Sequence, residues 1–334
     1  MTSDAVRGNR AAPGSLRVIY IAGARNCGST LLDAILGNAP GAHSLGEVAG
    51  FHRYGPTLPC ACQRSPSDCA PCVGVVRSVE DAGTWPAFQR LSRWPLKERS
   101  LHWMVVGTNA RRRYAQVADL VFASVAATTG CRVLIDSSKN ATRAAALTRD
   151  SRHDVRVVHL VRDGRGYLRS RRTRAAADGK RHIAAVAMMG WLTKNVLIGS
   201  VLGSRLDADH YLVCRYEDLM SSPGPTLERI CAFAGLDSAG LLEATTTGDG
   251  VQRGHVFEPR RKVDYRWVRL DPSRLKSQRE TTSRNLVFWT LGGFASQRWG
   301  YDRKQSYLDG ARTDAAGGGQ LPTDLDVSAP IARS

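Results

Sequence analysis

The first chemically informative feature of the sequence is a glycine-containing loop near the amino terminus. Residues 23–30 read G-A-R-N-C-G-S-T, which is the spacing of a phosphate-binding P-loop with Ser29 in place of the usual lysine. In such a loop the backbone N–H groups and the start of the following helix hold an anion. A P-loop kinase uses the missing lysine to neutralise ATP, so this loop suits a donor with one 5'-phosphate. An ordinary glycine-containing turn between a strand and a helix is the alternative.

A basic segment in the middle of the chain indicates a second anion site. Arg162 directly follows an apolar run, and Ser170 comes eight residues later. A guanidinium group at the carboxyl end of a strand suits a phosphate dianion. A serine just over two helical turns further on can donate to the same group. An exposed basic helix is the alternative, and the segment alone favours neither interpretation.

Two further polar runs follow apolar segments. Glu47 comes after Ala42–Leu45, and the run D-S-S-K, which ends at Lys139, comes after Arg132–Ile135. A carboxylate near a reacting atom can take the proton of an attacking hydroxyl, and a lysine can neutralise charge on transferred oxygens. Alternatively, Glu47 is a surface or helix-capping residue, and V-L-I-D is the magnesium-binding strand of a P-loop kinase or NTPase.

These residues need a scaffold that brings them together, and the pattern of elements supplies one. Apolar β-branched runs predict strands, and helical periodicity predicts the segments between them. The predicted strands are 16–22, 42–45, 132–135, 155–161 and 210–214, and the predicted helices are 29–37, 110–129, 140–148, 164–174 and 225–235. Alternating strands and helices form parallel sheets, which bind ligands beyond the carboxyl ends of their strands. The predicted fold is therefore α/β, a P-loop-like three-layer fold with a mostly parallel central sheet flanked by helices.

The first loop also carries a family resemblance. The stretch G-A-R-N-C-G-S-T-L-L-D resembles the 5'-phosphosulfate loop of sulfotransferases that use 3'-phosphoadenosine-5'-phosphosulfate (PAPS), and is closest to the bacterial branch with G-x-S-G-S-T-L-L-D. The resemblance implies transfer of a sulfuryl group from PAPS to an acceptor hydroxyl, with PAP as the other product and no metal required. It implies donor binding by seven loop residues: Arg25, Asn26, Cys27, Gly28, Ser29, Thr30 and Leu31. Asn26 and Cys27 depart from the usual family residues, and Arg25 is the candidate replacement for the positive charge.

Other segments match the same family. Arg162 and Ser170 fit its 3'-phosphate signature, Gly46-Glu47 resembles its Gly-Glu pair, and the run ending at Lys139 is similar to its D-S-S-K. The resemblance implies that Glu47 is the general base and that Lys139 neutralises charge at the sulfuryl group, so these two residues are the predicted catalytic pair.

Three later residues are assigned to the nucleotide by looser matches. Tyr216 lies in a Y-E-D-L run that matches the family, and it is expected to stack on or bound the adenine, with a core aromatic as the alternative. Arg260 and Arg261 belong to a stretch, His255 with Arg260–Lys262, that resembles a late segment of the family that often closes over the nucleotide.

Four of the eight cysteines cluster in a pattern that permits several chemistries. Cys60, Cys62, Cys69 and Cys72 form C-x-C-x6-C-x2-C, which could hold zinc or two disulfides. Neither half is the usual paired C-x2-C knuckle. A reduced structural loop is the favoured interpretation, with zinc behind it and disulfides weaker still, because no secretion signal is visible.

The charge of the chain narrows the classes of partner. Its formal net charge is +17, with 47 Lys and Arg against 30 Asp and Glu. This excess predicts an anionic ligand or a basic surface, and we expect no specific nucleic-acid binding. The competing functions are a P-loop kinase or NTPase-like phosphotransferase and a basic module that binds nucleic acid through a zinc knuckle.

Composition also predicts the organisation of the chain. We expect a disordered tail at 1–15, a sulfotransferase domain at 16–303 with a cysteine-containing insertion at 56–75, and a mostly disordered tail at 304–334. The first residues have no apolar leader, and Lys194 and Asn195 interrupt the apolar run 183–203, so no membrane span and a cytoplasmic location are predicted. The acceptor, a small molecule or a glycan, and the oligomeric state stay open.

Overall fold

The centre of the computed structural model is a parallel sheet of five strands in the order β2-β3-β1-β4-β5. The structure describes residues 14–50, 60–62, 64, 68–83, 86, 108–247, 250–256, 267–276 and 282–301. The strands are β1 (Arg17–Ala22), β2 (Ala42–Gly46), β3 (Val133–Lys139), β4 (Asp154–Val161) and β5 (Tyr211–Arg215). The predicted α/β class with a parallel central sheet is confirmed.

Helices surround this sheet. They are α1 (Ser29–Leu36), α2 (Ala70–Asp81), α3 (Thr108–Thr129), α4 (Ala141–Asp150), α5 (Gly164–Ala177), α6 (Ala184–Ile198), α7 (Tyr216–Ser221), α8 (Pro223–Ala234), α9 (Leu241–Thr246), α10 (Ser273–Lys276), α11 (Thr282–Leu291) and α12 (Gly293–Ser296). A two-stranded antiparallel ribbon, β6 (Val251–Gln252) with β7 (Trp267–Val268), lies outside the main sheet.

The central strand β1 is buried on both faces, as its unbroken apolar sequence predicts. Ile19 and Ile21 point into one core cluster, which contains residues of α1 and α8. Val18 and Tyr20 point into the other, which contains residues of α2, α3 and α4. Because side chains alternate along a strand, one short segment anchors both helical layers to the sheet.

The sheet topology reverses at β1, which fixes the location of a binding site. The connection that leaves β1 runs to β2 in one half of the sheet, whereas the connection that leaves its neighbour β4 runs to β5 in the other half. Ligands of open parallel sheets bind at such a switch point. The loop at 23–28 leaves β1 there, and Arg162 follows the end of β4, the strand next to it.

Helix α6 continues through one π-helical segment to Gly203. By length and composition alone, Ala184–Gly203 is the one helix in the described part of the chain that could cross a membrane. Its Trp191 and Asn195 are buried, and the Asn195 amide oxygen lies 3.1 Å from the His159 Nε2 atom of β4, while Val186 and Met189 are exposed. Only one face of this helix therefore lies in the core.

Several predicted boundaries need correction. β3 does not end before Asp136 but runs through Lys139, because its pairing with β1 continues to Ala22 opposite Lys139. The predicted helix 225–235 is preceded by α7, which begins directly after β5 at Tyr216. Helix α2 and the β6-β7 ribbon were not predicted. The terminal tails lie largely outside the described residues.

Candidate functional site

Two glycines make the loop after β1 possible. A Cβ atom on Gly23 would lie 2.5 Å from the Leu160 backbone oxygen of β4, so the loop passes too close to the neighbouring strand for any other residue. Gly28 has φ 99°, and a Cβ there would lie 2.4 Å from the Cδ2 atom of the Tyr216 ring. Both positions thus require glycine for contact or conformation, as in loops whose backbone approaches a phosphate.

Helix α1 begins at the end of this loop without a side-chain cap. Its N-cap residue is Gly28, which has no side chain to cap the helix, and its first turn has no acidic residue. These N–H groups and the helix dipole favour an anion. Ser29 and Cys27 are buried, while Asn26, Thr30 and Leu31 are half-buried and Arg25 is exposed.

The Cys27 side chain faces the core and not the solvent side of the loop. Its exposed fraction is 1%, and burial raises the pKa of its thiol although Lys139 opposes the rise. The thiol is therefore neutral at physiological pH. Cys27 was predicted to contact the sulfuryl donor. With its side chain in the core, only its backbone could make that contact.

Arg162 contacts the first loop directly. Its Nη1 atom donates to the Asn26 carbonyl oxygen at 3.0 Å, and its guanidinium carbon lies 4.6 Å from the centre of the Tyr216 ring. The Nε atom of Arg162 and the Nδ2 atom of Asn26 are buried and have no hydrogen-bond partner among the described residues. Such buried donors are costly unless something accepts from them. The structure thus brings the two predicted phosphate-binding segments together at one edge of the sheet.

Tyr216 serves as the spacer between these two segments. Its ring is 5% exposed and contacts both the Gly28 backbone position and the Arg162 guanidinium group. The burial agrees with the alternative given above, that Tyr216 is a core aromatic residue. Because its ring packs against the Arg162 guanidinium group, it helps to position the site. Ser170 lies half-buried on α5 without a hydrogen bond to Arg162.

A buried polar network holds the end of β4, and sequence reasoning missed it. The Trp191 Nε1 atom donates to the Arg162 carbonyl oxygen at 2.9 Å, and the Asp163 N–H donates to the Glu217 carboxylate at 3.1 Å. Tyr301 donates to the other Glu217 oxygen at 2.7 Å. Burial, with a smaller contribution from Asp163, raises the pKa of Glu217 to about 7. The Y-E-D-L run was the one sequence feature that pointed to this network. Both Tyr216 and Glu217 of that run are buried.

The predicted catalytic pair forms an ion pair. The Lys139 Nζ atom lies 2.7 Å from the Glu47 carboxylate and also donates to the Ser137 carbonyl oxygen at 2.9 Å. The Lys139 side chain is 9% exposed and the Glu47 side chain is 21% exposed, so the pair is largely buried at the carboxyl edge of the sheet. Lys139 has φ 67° and Asn26 has φ 62°, and these are the only non-glycine residues with positive φ in the described chain. Backbone strain of this kind clusters at functional sites.

Asp136 is engaged in structural contacts. Its carboxylate is fully buried and accepts from both Nε and Nη2 of Arg143 at 2.9 and 2.8 Å, while its other oxygen accepts from the Ser138 N–H at 3.0 Å. Arg143 also donates to the Tyr114 hydroxyl. These contacts order the D-S-S-K run, whereas a magnesium-binding role for Asp136 would have to break a buried ion pair.

Not every predicted residue can be located. Arg260 and Arg261 lie outside the described residues. All four cysteines of the cluster are described. Cys60, Cys62 and Cys69 lie together with His255, a neighbour that the cysteine spacing did not indicate. The buried Cys72 thiol lies within hydrogen-bonding reach of Cys60 and Cys69.

The fold is that of an α/β protein with a P-loop-like turn, a candidate anion site, at the switch point of a parallel sheet. The model of the sulfotransferase family matches residues 18–239. The chain therefore belongs to the sulfotransferase family and is a transferase of the class that moves sulfuryl groups.

Solved sulfotransferase structures are similar to this chain. The sulfotransferase domain of the Synechococcus PCC 7002 olefin synthase matches with a TM-score of 0.51 and 23% identity, over 89% of this chain and 99% of that one. The sulfotransferase domain from the curacin biosynthetic pathway matches with a TM-score of 0.49 and 17% identity, over 86% of this chain and 98% of that one. A sulfotransferase from Alicyclobacillus acidocaldarius matches with a TM-score of 0.38 and 14% identity, over 91% of this chain and 99% of that one. No curated protein sequence matches significantly.

Proposed function

We propose that this chain transfers a sulfuryl group from PAPS to a hydroxyl group of a small-molecule or glycan acceptor in the cytoplasm. The observation that carries the proposal is the 3.0 Å contact of Arg162 with Asn26, because it puts a guanidinium group beside the glycine loop. A nucleotide with phosphates on both its 5' and 3' positions needs two adjacent anion sites of this kind.

The residues present fit such a donor. The uncapped start of α1, with the backbone of Gly28, Ser29 and Thr30, would hold the 5'-phosphosulfate. Arg162 and Ser170 would hold the 3'-phosphate. The buried Arg162 Nε and Asn26 Nδ2 atoms supply donors that find no acceptor among the described residues. A phosphate oxygen satisfies such donors, and charge-assisted hydrogen bonds are the stronger kind.

Glu47 and Lys139 are the groups that would act on the reacting atoms. PAPS supplies a sulfuryl group bonded to its 5'-phosphate oxygen. Glu47 would take the proton of the acceptor hydroxyl as the new S–O bond forms, and Lys139 would neutralise the negative charge on the oxygen of the breaking S–O bond. Their ion pair at 2.7 Å keeps both side chains at one point of the sheet edge. The protein's main contribution is then positioning and charge stabilisation.

Ligand comparison tests the proposal most sharply. PAP and AMP differ only in the 3'-phosphate, so PAP should raise Tm and bind at least about tenfold more tightly than AMP in calorimetry. ATP with magnesium is added as a third ligand, because a phosphotransferase would bind it. Stabilisation by ATP with magnesium, together with no response to PAP, would overturn the proposal. Labelled PAPS with a panel of phenols, sugars and glycans then identifies the acceptor class.

A further inference from the structure

A compact group of metal-ligating atoms lies apart from the proposed donor site. The sulfur atoms of Cys60, Cys62 and Cys69 and one ring nitrogen of His255 all lie within 4.8 Å of one another. The cysteines and the histidine are nearly two hundred residues apart in the chain, so folding and not sequence proximity assembles them. None of these side chains has a role in the proposed reaction.

The distances suit a tetrahedral ion. With Zn–S bonds of about 2.3 Å and Zn–N bonds of about 2.0 Å, neighbouring ligand atoms of a tetrahedral zinc site lie roughly 3.5–3.8 Å apart. The His255 Nδ1 atom lies 3.8 Å from the Cys60 sulfur and 3.1 Å from the Cys69 sulfur. Three thiolates and one imidazole are a common ligand set of structural zinc sites.

Backbone contacts hold the two contributing segments in place. The Ala61 N–H donates to the Val256 carbonyl oxygen at 3.0 Å, which joins the cysteine segment to the segment that carries His255. The His255 carbonyl oxygen lies 3.1 Å from the Nε2 atom of His43 in β2. Cys69 is the N-cap of α2, so the third sulfur is fixed by the start of a helix.

We propose that Cys60, Cys62, Cys69 and His255 bind one zinc ion in a closed structural site. Four protein ligands leave no open position on the ion, so the site ties segments together and takes no part in sulfuryl transfer. It would clamp the chain that follows Glu47 to the segment of the β6 strand. A disulfide is a poorer account, because His255 would then have no reason to lie against two of the sulfurs.

The metal content of the full-length chain tests this directly. Protein produced with zinc in the medium, and freed of any histidine tag, should retain about one zinc ion per chain by mass spectrometry. Replacement by cobalt should give thiolate charge-transfer bands and the visible bands of tetrahedral coordination. Chelation should lower Tm by several degrees, and zinc should restore it.

Variants identify the ligands. Cys69→Ser and His255→Asn should each weaken zinc binding roughly 100-fold or more, since even residues that only support a ligand contribute 10–100-fold. Cys131→Ser is the matched control, because this half-buried thiol donates to the Ala42 carbonyl oxygen away from the cluster. It should keep the full zinc content.

Two results would overturn the proposal. One is wild-type protein that holds no stoichiometric zinc and gives no tetrahedral cobalt spectrum. The other is a disulfide among these cysteines in protein purified without reductant from reducing cytoplasm, seen as the loss of two hydrogens in the intact mass. Both measurements use the wild-type chain, so they decide the matter even if a variant fails to fold.

Discussion

The Arg162 guanidinium group donates to the Asn26 carbonyl oxygen at 3.0 Å and thereby joins the end of β4 to the loop after β1. Asn26 has φ 62°, a conformation that asparagine tolerates better than most residues. Its carbonyl therefore points toward β4, while its side-chain amide nitrogen is buried without a partner in the described part of the chain. One arginine thus fixes the loop and still offers its Nε atom to an anion.

Arg162→Ala should weaken PAP binding by about 10–100-fold, because it removes charge-assisted hydrogen bonds to a phosphate. The loss should be much smaller for AMP, which lacks the 3'-phosphate. Calorimetry with both ligands measures the difference. Arg132→Ala is the matched control, since Arg132 is exposed at the opposite, amino-terminal end of β3. Equal losses for PAP and AMP would show that Arg162 only supports the loop.

Gly28→Ala should destabilise the protein more than Gly41→Ala does. Both glycines have positive φ, 99° and 72°, so both substitutions carry the cost of a left-handed conformation, about 1 kcal/mol or more. Only at Gly28 does the new Cβ also meet the Tyr216 ring, whereas nothing lies within 4 Å at Gly41. Denaturant unfolding should separate the two variants by a further 1–3 kcal/mol, roughly the cost of overpacking. Similar values for both would contradict the contact with Tyr216.

The strained backbone of Lys139 gives a stability prediction that is independent of its charge. Lys139→Gly and Lys139→Ala both remove the ammonium group and should both abolish turnover. The glycine variant should be more stable by about 1 kcal/mol, because alanine keeps the unfavourable φ of 67°. The same pair of substitutions at the neighbouring Ser138, whose φ is ordinary, should give the opposite order. Unfolding curves of the four variants measure this, and no reversal between the positions would contradict the strain.

Much of the fold could be predicted from the sequence, because the strands of a buried parallel sheet are continuous apolar runs. The five strands of the sheet were predicted, and the loop at 23–30 and Arg162 were both expected at their carboxyl ends. Chain order does not determine neighbour order, however. That β4 lies beside β1, and so brings Arg162 to Asn26, depends on how the βα units pack.

The parts that were missed depend on contacts between distant segments. Glu217 and Tyr301 are 84 residues apart, and nothing local marks a tyrosine that donates to a buried carboxylate. His255 likewise carries no metal-site spacing relative to the cysteines. The extension of β3 was missed because Asp136 is polar, and its burial depends on Arg143 from the following helix. Burial of a charge cannot be inferred until its partner is known.

Glu47→Gln should leave PAP affinity unchanged or slightly improved, because the variant loses a negative charge near the donor site. Turnover should fall by at least about 100-fold, the usual contribution of a general base. Glu80→Gln, at an exposed position of α2, controls for the charge change. Single-turnover rates and calorimetry separate the two effects. A parallel loss of affinity and rate would instead indicate that the Glu47–Lys139 pair only shapes the site.

Asp33 should make the stability of the protein depend on pH. Burial raises the pKa of this carboxyl to about 7 from 3.8, even though Ser44 donates to it at 2.5 Å. A folded-state pKa above the unfolded value means that the folded protein binds the extra proton, so this contribution to stability is complete below about pH 4 and is lost as pH rises toward 7.

The Asp33→Asn variant isolates this contribution, because it has no carboxyl to titrate. His159 acts in the opposite sense, since burial lowers its pKa to about 4, but it is present in both proteins and cancels. The free energy of unfolding of wild type minus that of Asp33→Asn should therefore decrease between pH 4 and pH 7, by on the order of 3 kcal/mol, and then stay level. Urea unfolding of both proteins at closely spaced pH values measures the curve. A difference that is flat, or that rises with pH, would show that Asp33 is ionised in the folded protein and that its burial is offset by a nearby cation such as Arg253.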